Sequence, residues 1–275
     1  MGWYRGPFLA AAEDKLLDAY RPAYINDLHA WSVRQYASSA NMVGGFYTSA
    51  IGFGWNEDLL KKKKITAPKC WADLTDPKLK GEVEMAHPAS SGGAYTIVAG
   101  LIQLMGEDKA FEYMRKLHNN IAQYTRSSNA QAKNVAKGEV AVGISFIFGF
   151  DQERYNGNLQ VKSIAPCEGT SYEIGGIALI KGGRNKELAI RYYDWLMSPA
   201  GQAVGAQVNN LQTPANKTFK PDPKIPKMDD VKLIRYDFEK FGSRAERKRI
   251  IEVGKKKSVV PLVDRDAPTQ LIEAP

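Results

Sequence analysis

Two short segments, Ser90-Ser91-Gly92-Gly93 and Arg126-Ser127-Ser128-Asn129, carry the residue types from which an anion site can be built without a metal or a reactive nucleophile. Each directly precedes a stretch that reads as a helix. The first turn of a helix has backbone N–H groups with no intrahelical acceptor and a partial positive charge. A serine-rich turn leading into it therefore offers hydroxyl and amide donors to one anion. The two glycines of the first segment also admit close approach of a ligand to the backbone. Taken singly, each segment serves equally as a helix cap, the commonest role of Ser and Asn at that position, with Arg126 as a solvated charge. Directed at one cleft, the pair would form an anion clamp. The chain has no Gly-x-Ser-x-Gly elbow, no phosphate-binding P-loop and no His-Glu-x-x-His helix, so it does not read as an enzyme. An α/β enzyme acting on a phosphorylated small molecule is kept as an alternative, since fold alone never fixes function.

The elements that must position these segments alternate. Residues 8–20 have apolar residues at helical spacing. Residues 42–56 are aromatic, β-prone and dotted with glycine, which suggests strands closely approached by another backbone or a ligand. A strand at 82–86 leads through Ser90–Gly93 to a strongly apolar helix at 94–105, and a second helix follows at 108–117. The loop 124–128 opens a helix at 129–137, with Gly138 as its C-terminal stop. Residues 140–148 and 161–165 read as strands. Another glycine-dotted strand at 174–180 mirrors the one at 42–56. Helices at 186–197 and 199–207, a proline-rich loop at 213–226, a helix at 228–241 and a basic tail complete the chain. Such alternation predicts an α/β fold with a largely parallel sheet. Two glycine-dotted strands flanking a middle α/β block are what a double crossover between two lobes would look like, and clefts between lobes are preferred ligand sites.

At 275 residues the chain has room for two domains, and 44% hydrophobic with 25% charged residues is an ordinary globular balance. The net charge of +8 is concentrated in Lys61 to Lys64 and in Arg244, Arg247, Lys248, Arg249 and Lys255 to Lys257. The lysine run follows Asp58-Leu59-Leu60, as the solvated end of a helix would. No nucleic-acid motif accompanies the charge, and no nucleic-acid partner is expected. No apolar run is long enough to span a bilayer, and Met1 to Pro7 lacks the pattern of a secretory signal. The two cysteines, Cys70 and Cys167, are too few and too far apart for a zinc site. Their spacing leaves open both a pair of free buried thiols and a disulfide, which would require an oxidising compartment.

Five motifs together carry a resemblance. They are residues 70–81, Cys70-Trp71-Ala72-Asp73-Leu74-Thr75-Asp76-Pro77-Lys78-Leu79-Lys80-Gly81; Pro88-Ala89-Ser90-Ser91-Gly92-Gly93-Ala94-Tyr95; Lys137-Gly138-Glu139-Val140-Ala141-Val142-Gly143; Gly176-Ile177-Ala178-Leu179-Ile180-Lys181-Gly182; and Trp195-Leu196-Met197-Ser198-Pro199-Ala200-Gly201-Gln202. In this order the chain resembles the bacterial solute-binding proteins of ABC transporters, in the ferric-iron-type class of type II periplasmic binding proteins. The resemblance implies a two-lobed α/β fold. Lobe one would comprise 1–48 and 175–226, lobe two 49–174 and 227–255, with an irregular tail at 256–275. It implies a periplasmic protein, acting as a monomer without a cofactor, that binds a small anionic organic solute such as a sugar phosphate or phosphonate for a membrane permease.

The ligand contacts implied are Ser90, Ser91, Gly92, Gly93, Arg126, Ser127, Ser128 and Asn129, with Ser145 and Phe146 at the end of the following strand. Asp151 and Glu173 are further candidates to accept hydrogen bonds from ligand hydroxyls. The alternative ligand in this class is ferric iron, held by adjacent tyrosines whose phenolate oxygens suit a hard cation. Here those places hold Ile147 and Phe148, and His29, His87 and His118 show no ligand spacing, so no metal site is expected. Relatives open with a signal peptide and two β-α units that precede the point where this chain starts, which implies an incomplete first lobe. They often read Gly-Gly-Thr-Gly-Asp-Pro-Phe where this chain reads Gly2-Trp3-Tyr4-Arg5-Gly6-Pro7-Phe8, a difference that a one-base shift of reading frame produces.

Overall fold

A computed structural model describes residues 3–257 and 272–273. In chain order the first elements are β1 (Trp3–Tyr4), α1 (Arg5–Glu13), β2 (Leu17–Asp18), α2 (Ala30–Ser38), β3 (Val43–Asn56), α3 (Glu57–Lys63), β4 (Val83–Ala86), α4 (Gly92–Met105), α5 (Glu107–His118) and β5 (Ile121–Thr125). There follow α6 (Ala130–Lys137), β6 (Val142–Phe146), α7 (Ile147–Tyr155), β7 (Val161–Ile164), β8 (Tyr172–Ile180), α8 (Lys186–Met197), α9 (Pro199–Gln207), β9 (Thr213–Pro214), α10 (Phe238–Gly242), α11 (Arg244–Lys256) and β10 (Ile272–Glu273). The chain is α/β and divides into two compact units. Unit one is Met1–Ser49, Glu173–Met228 and Asp237–Arg244; unit two is Ala50–Tyr172, Asp229–Tyr236 and Ala245–Pro275. The chain passes from one to the other within β3 and again within β8. Residues 237–244, expected in lobe two, cluster with unit one, where Phe241 is buried and Arg244 pairs with Asp14 at 3.1 Å. Of the tail expected to be irregular from 256, α11 takes the first residue, Lys257 follows in a turn and pairs with Asp108 at 3.0 Å, and β10 pairs with β5; the rest lies outside the described residues.

In unit one, β8 pairs antiparallel with β1 and β2, and the first half of β3 pairs with β9. Ile25, Leu28, Tyr36, Leu179, Tyr193, Met197 and Ala215 pack into its core. The helix expected at 8–20 ends at Glu13, because Lys15 adopts a left-handed φ of 56° and Leu17–Asp18 pairs with β8 instead.

In unit two, β4 lies parallel between β5 and β6, whereas β3 is antiparallel to both β6 and β7. The sheet is thus mixed rather than largely parallel, with its parallel part confined to the three strands that lead into α4, α6 and α7. A Cβ on Gly54 would stand against the Phe150 ring and 2.8 Å from Lys162 O, so this glycine of β3 is required by the close approach of α7 and β7. The stretch expected as one strand at 140–148 ends at Phe146 and turns into α7, whose Ile147 and Phe150 are buried. An apolar run buried on every side reads the same in either conformation. The helix expected at 228–241 survives only at its ends, as a single turn at Met228–Asp230 and as α10. Residues 231–236 run extended, with Thr170 N–H donating to Lys232 O and Ile234 N–H to Thr170 O, each at 2.9 Å.

Candidate functional site

The parallel register brings the three connections together. Ala86 of β4 stands beside Thr125 of β5, and Met85 beside Ile144 of β6. All three strands therefore end at one edge, where ligands of open α/β sheets are bound. His87 to Ser91 lead from β4 to α4, Arg126 to Asn129 lead from β5 to α6, and Phe146 passes directly into α7.

The two serine turns touch. Ser91 Oγ caps α4 by accepting the Ala94 N–H at 3.3 Å and shares a hydrogen bond with Ser128 Oγ at 2.5 Å. Ser90 Oγ donates towards His87 O and Arg126 O, both at 3.2 Å. Ser145 Oγ donates to Ser128 O, which ties the end of β6 to the same turn. A Cβ on Gly93 would stand 2.9 Å from Ser128 Oγ and 3.0 Å from the Phe146 ring, so the second glycine is the residue that lets the turns meet. Ser127 Oγ accepts the Asn129 N–H at 3.3 Å.

Burial sorts the expected residues into two groups. Ser91, Gly93, Ser128, Ser145 and Phe146 are buried and form the joint, whereas Ser90, Arg126, Ser127 and Asn129 are exposed and Gly92 is half-buried. The first-turn N–H groups of Gly92 and Gly93 have no acceptor within their helix, and neither α6 nor α7 has a side-chain cap. Two hydroxyl protons belong to the Ser91–Ser128 pair, and their mutual bond consumes one; the other can point to an acceptor. Arg126 is the one cation among the expected residues. The edge therefore presents amide and hydroxyl dipoles from three helix starts, with the Arg126 charge beside them.

Asp151 and Glu173 have partners outside this cluster. Asp151, on α7, accepts a hydrogen bond from Ser163 Oγ at 2.7 Å and pairs with Arg154 at 3.1 Å. Burial raises its pKa and these partners pull it back. Its carboxylate fastens α7 to β7. Glu173 belongs to unit one, where it is buried, and its carbonyl oxygen accepts the Thr48 hydroxyl at 2.8 Å. The neighbouring Tyr47 phenol is pushed up by burial, against a hydrogen bond from Gln212, with the Glu173 charge adding to the rise.

Two features of the edge were missed by sequence reasoning. Gln131 is fully buried at the start of α6; with its amide oriented by the surrounding donors and acceptors, it donates to Ser128 O at 2.9 Å and accepts the Ala86 N–H at 3.1 Å. It shares a helix face with buried Val135, and a polar residue on that face was the available signal. The start of α7 is the second, hidden because 140–148 read as a single strand. Beneath the Ser90 turn, the Ala89 N–H donates to His87 Nδ1 at 3.1 Å, which places that imidazole's proton on Nε2.

Cys70 and Cys167 are bonded to each other, with Cα atoms 4.8 Å apart. They lie with Glu168 in the one group of three close metal-donor side chains among the described residues. The sulfurs are spent on the disulfide, and the Glu168 carboxylate accepts the N–H groups of Trp71 and Ala72 at 2.8 and 3.0 Å. This corner is a clasp at the start of the Trp71–Thr75 turn. Ile147 and Phe148 present only hydrocarbon where a tyrosinate iron site would need phenols.

Comparison with known proteins identifies the family. Residues 4–240 match the family model of bacterial extracellular solute-binding proteins. An uncharacterised protein of Haemophilus influenzae is 39% identical over 255 residues, which are 91% of this chain and 73% of that protein. The periplasmic binding protein AfuA of Actinobacillus pleuropneumoniae, solved with exogenous fructose-6-phosphate bound, is 40% identical, with a TM-score of 0.87 over 95% of this chain and 82% of its own. The apo ferric ion-binding protein A of Pasteurella haemolytica shares the fold at 16% identity, with a TM-score of 0.74 over 96% of this chain and 83% of its own. This family is one of extracytoplasmic proteins that deliver solutes to ABC permeases and is not an enzyme class. The chain belongs to the bacterial extracellular solute-binding proteins.

Proposed function

We propose that this chain is the solute-binding component of an ABC importer and that it holds a sugar phosphate, unaltered, by its phosphoryl group at the edge formed by β4, β5 and β6. The observation that carries this reading is the Ser91–Ser128 hydrogen bond, which fixes the starts of α4 and α6 side by side. A phosphoryl group has three terminal oxygens; the Gly92 and Gly93 amides, the spare serine proton and Arg126 supply donors of matching number and sign. The 40% identity to a protein solved with fructose-6-phosphate supports the same ligand class. Nothing at the edge favours ferric iron. The protein works as a monomer in the periplasm and hands its solute to a membrane permease; the disulfide suits that oxidising compartment.

The test is calorimetric titration with glucose-6-phosphate, fructose-6-phosphate and glucose. The two phosphates bind and glucose does not, and Arg126→Gln weakens both phosphates about tenfold, the loss of one charge-assisted hydrogen bond. Equal affinity for glucose, or turnover of the phosphate ester, would overturn the reading.

A further inference from the structure

The serine edge has a buried side and an exposed side, and they are held by different residues. Ser91, Ser128 and Ser145 lock the buried side. Ala89 and Ser90 lie on the exposed side, just ahead of the Gly92 and Gly93 amides, and their path is set by His87.

His87 is 2% exposed and precedes Pro88, whose ring fixes its own φ and favours a turn. Main chain and side chain of His87 both serve that turn. Its carbonyl accepts the N–H groups of Ser90 and Ser91 at 3.1 and 2.9 Å and the Ser90 hydroxyl at 3.2 Å. Its Nδ1 accepts the Ala89 N–H at 3.1 Å. This is the bond that an Asn or Asp side chain makes two residues ahead in an Asx turn, with an imidazole nitrogen in place of the oxygen. The bond holds the peptide that follows Pro88, and with it the path into Ser90 and Ser91.

The imidazole is anchored in turn on β5. Its ring packs edge-on against Tyr124, with centroids 5.9 Å apart at 71°. The Tyr124 hydroxyl pairs with His118 Nδ1 at 2.9 Å, and the His87 N–H donates to Thr125 O at 2.8 Å. Arg126 follows directly, and its carbonyl accepts the Ser90 hydroxyl at 3.2 Å. One buried residue thus ties the first serine turn to the strand that carries the second.

We propose that His87 is a positioning residue of the solute site: through Nδ1 it sets the path of residues 89–91, and so the direction of the Gly92 and Gly93 amides, without touching the solute. This role, which rests on the phosphoryl reading of the edge, depends on where the acceptor stands and not on the bulk of the ring. The two amide replacements for histidine therefore differ. Asn places Oδ1 where Nδ1 stands. Gln carries its polar atoms one bond farther, level with Nε2, and leaves the Ala89 N–H without its acceptor. Gln fills more of the buried volume, so Asn is the costlier change for packing.

The experiment is calorimetric titration of the parent, His87→Asn and His87→Gln with glucose-6-phosphate, alongside urea unfolding of all three. His87→Asn binds within about twofold of the parent although it is the less stable variant, and His87→Gln binds about tenfold more weakly, the loss of one well-placed hydrogen bond. Amide hydrogen exchange without ligand gives the second readout. The Ala89 N–H is protected in the parent and in His87→Asn and exchanges about tenfold faster in His87→Gln. Affinity that follows stability, with His87→Gln the tighter binder, overturns the proposal and leaves the phosphate reading in place. Parental affinity or a protected Ala89 amide in His87→Gln does the same, and decides alone where His87→Asn does not fold. A parent that binds no sugar phosphate overturns both.

Discussion

Gly93→Ala separates the two roles that a glycine at the start of α4 can have. In a helix with open space around the new methyl, this change gains about 1 kcal/mol. Here the methyl would stand 2.9 Å from Ser128 Oγ and 3.0 Å from two atoms of the Phe146 ring. Ser128 can turn aside only by leaving Ser91 Oγ, 2.5 Å away, which forfeits about 1 kcal/mol for a neutral hydrogen bond. Phe146, 4% exposed, can retreat only by repacking, at about 1–3 kcal/mol. The losses exceed the gain, and the net destabilisation is about 1–3 kcal/mol, several degrees in Tm.

Affinity should suffer more than stability. The same displacement removes the spare serine proton and shifts the Gly92 and Gly93 amides from a phosphoryl oxygen. Two charge-assisted bonds at about 1.5 kcal/mol each amount to roughly a hundredfold in Kd. Urea unfolding and calorimetry with glucose-6-phosphate measure the two effects on one preparation. A variant that is about 1 kcal/mol more stable than its parent and binds equally well would refute the reasoning, since the methyl would then have room and position 93 would lie away from the ligand.

Gly54→Ala should destabilise unit two by about 3 kcal/mol, because its Cβ would meet both the Phe150 ring and, at 2.8 Å, Lys162 O; a double-mutant cycle with Phe150→Leu should return part of that loss. Cys70→Ser with Cys167→Ser opens a link between residues 97 apart, worth about 4–5 kcal/mol in chain entropy, and urea midpoints with and without reductant should reproduce the difference. His118 bonds the Tyr124 hydroxyl at 2.9 Å, and burial lowers its pKa below the ordinary 6.5. The unfolded chain then takes up this proton first, so stability falls as pH drops through 6.5 towards the folded value. His118→Gln should flatten that slope in Tm measured between pH 5 and 7, about where an ordinary histidine titrates.

What could be read in the sequence was mostly local. Ser91 caps α4 by accepting the N–H of Ala94 three residues on, Asn56 caps α3 by accepting the Leu59 N–H at 3.0 Å, and Gly138 stops α6 with φ 75°; each depends on neighbours within one turn. The alternation of strand-like and helix-like stretches carried the α/β class, and the five family-like motifs added the expectation of two lobes. The joint itself depends on strand register. Ser145 reaches Ser128 O, and Gln131 reaches Ala86, only because β4 lies between β5 and β6 in one alignment. Nothing in the spacing of 86, 131 and 145 states that alignment. The extended run at 231–236 was hidden for the same reason, since its partner is Thr170, some sixty residues earlier. α11 was read as a basic tail because its buried residues are only Ile250, Ile251 and Gly254; Arg249 adds ion pairs to Glu246 at 2.8 Å and to Glu107 at 2.7 Å.

The same dependence on register explains what the buried serines add to the edge beyond one spare hydroxyl proton. A hydroxyl at the surface of the edge, such as Ser90 or Ser127, can reorient at little cost and would follow a ligand. Ser91, Ser128 and Ser145 cannot, because each holds another: Oγ to Oγ at 2.5 Å in one case, and Oγ to the Ser128 carbonyl in the other. Three helix starts are thereby fixed relative to one another before any anion arrives, and fixed dipoles require no reorganisation when charge is bound. Flexible lysines at the same edge would attract anions more strongly at long range and distinguish among them less well. If the edge holds the solute as proposed, Arg126 and the locked serines of unit two make geometry rather than charge the basis of selection.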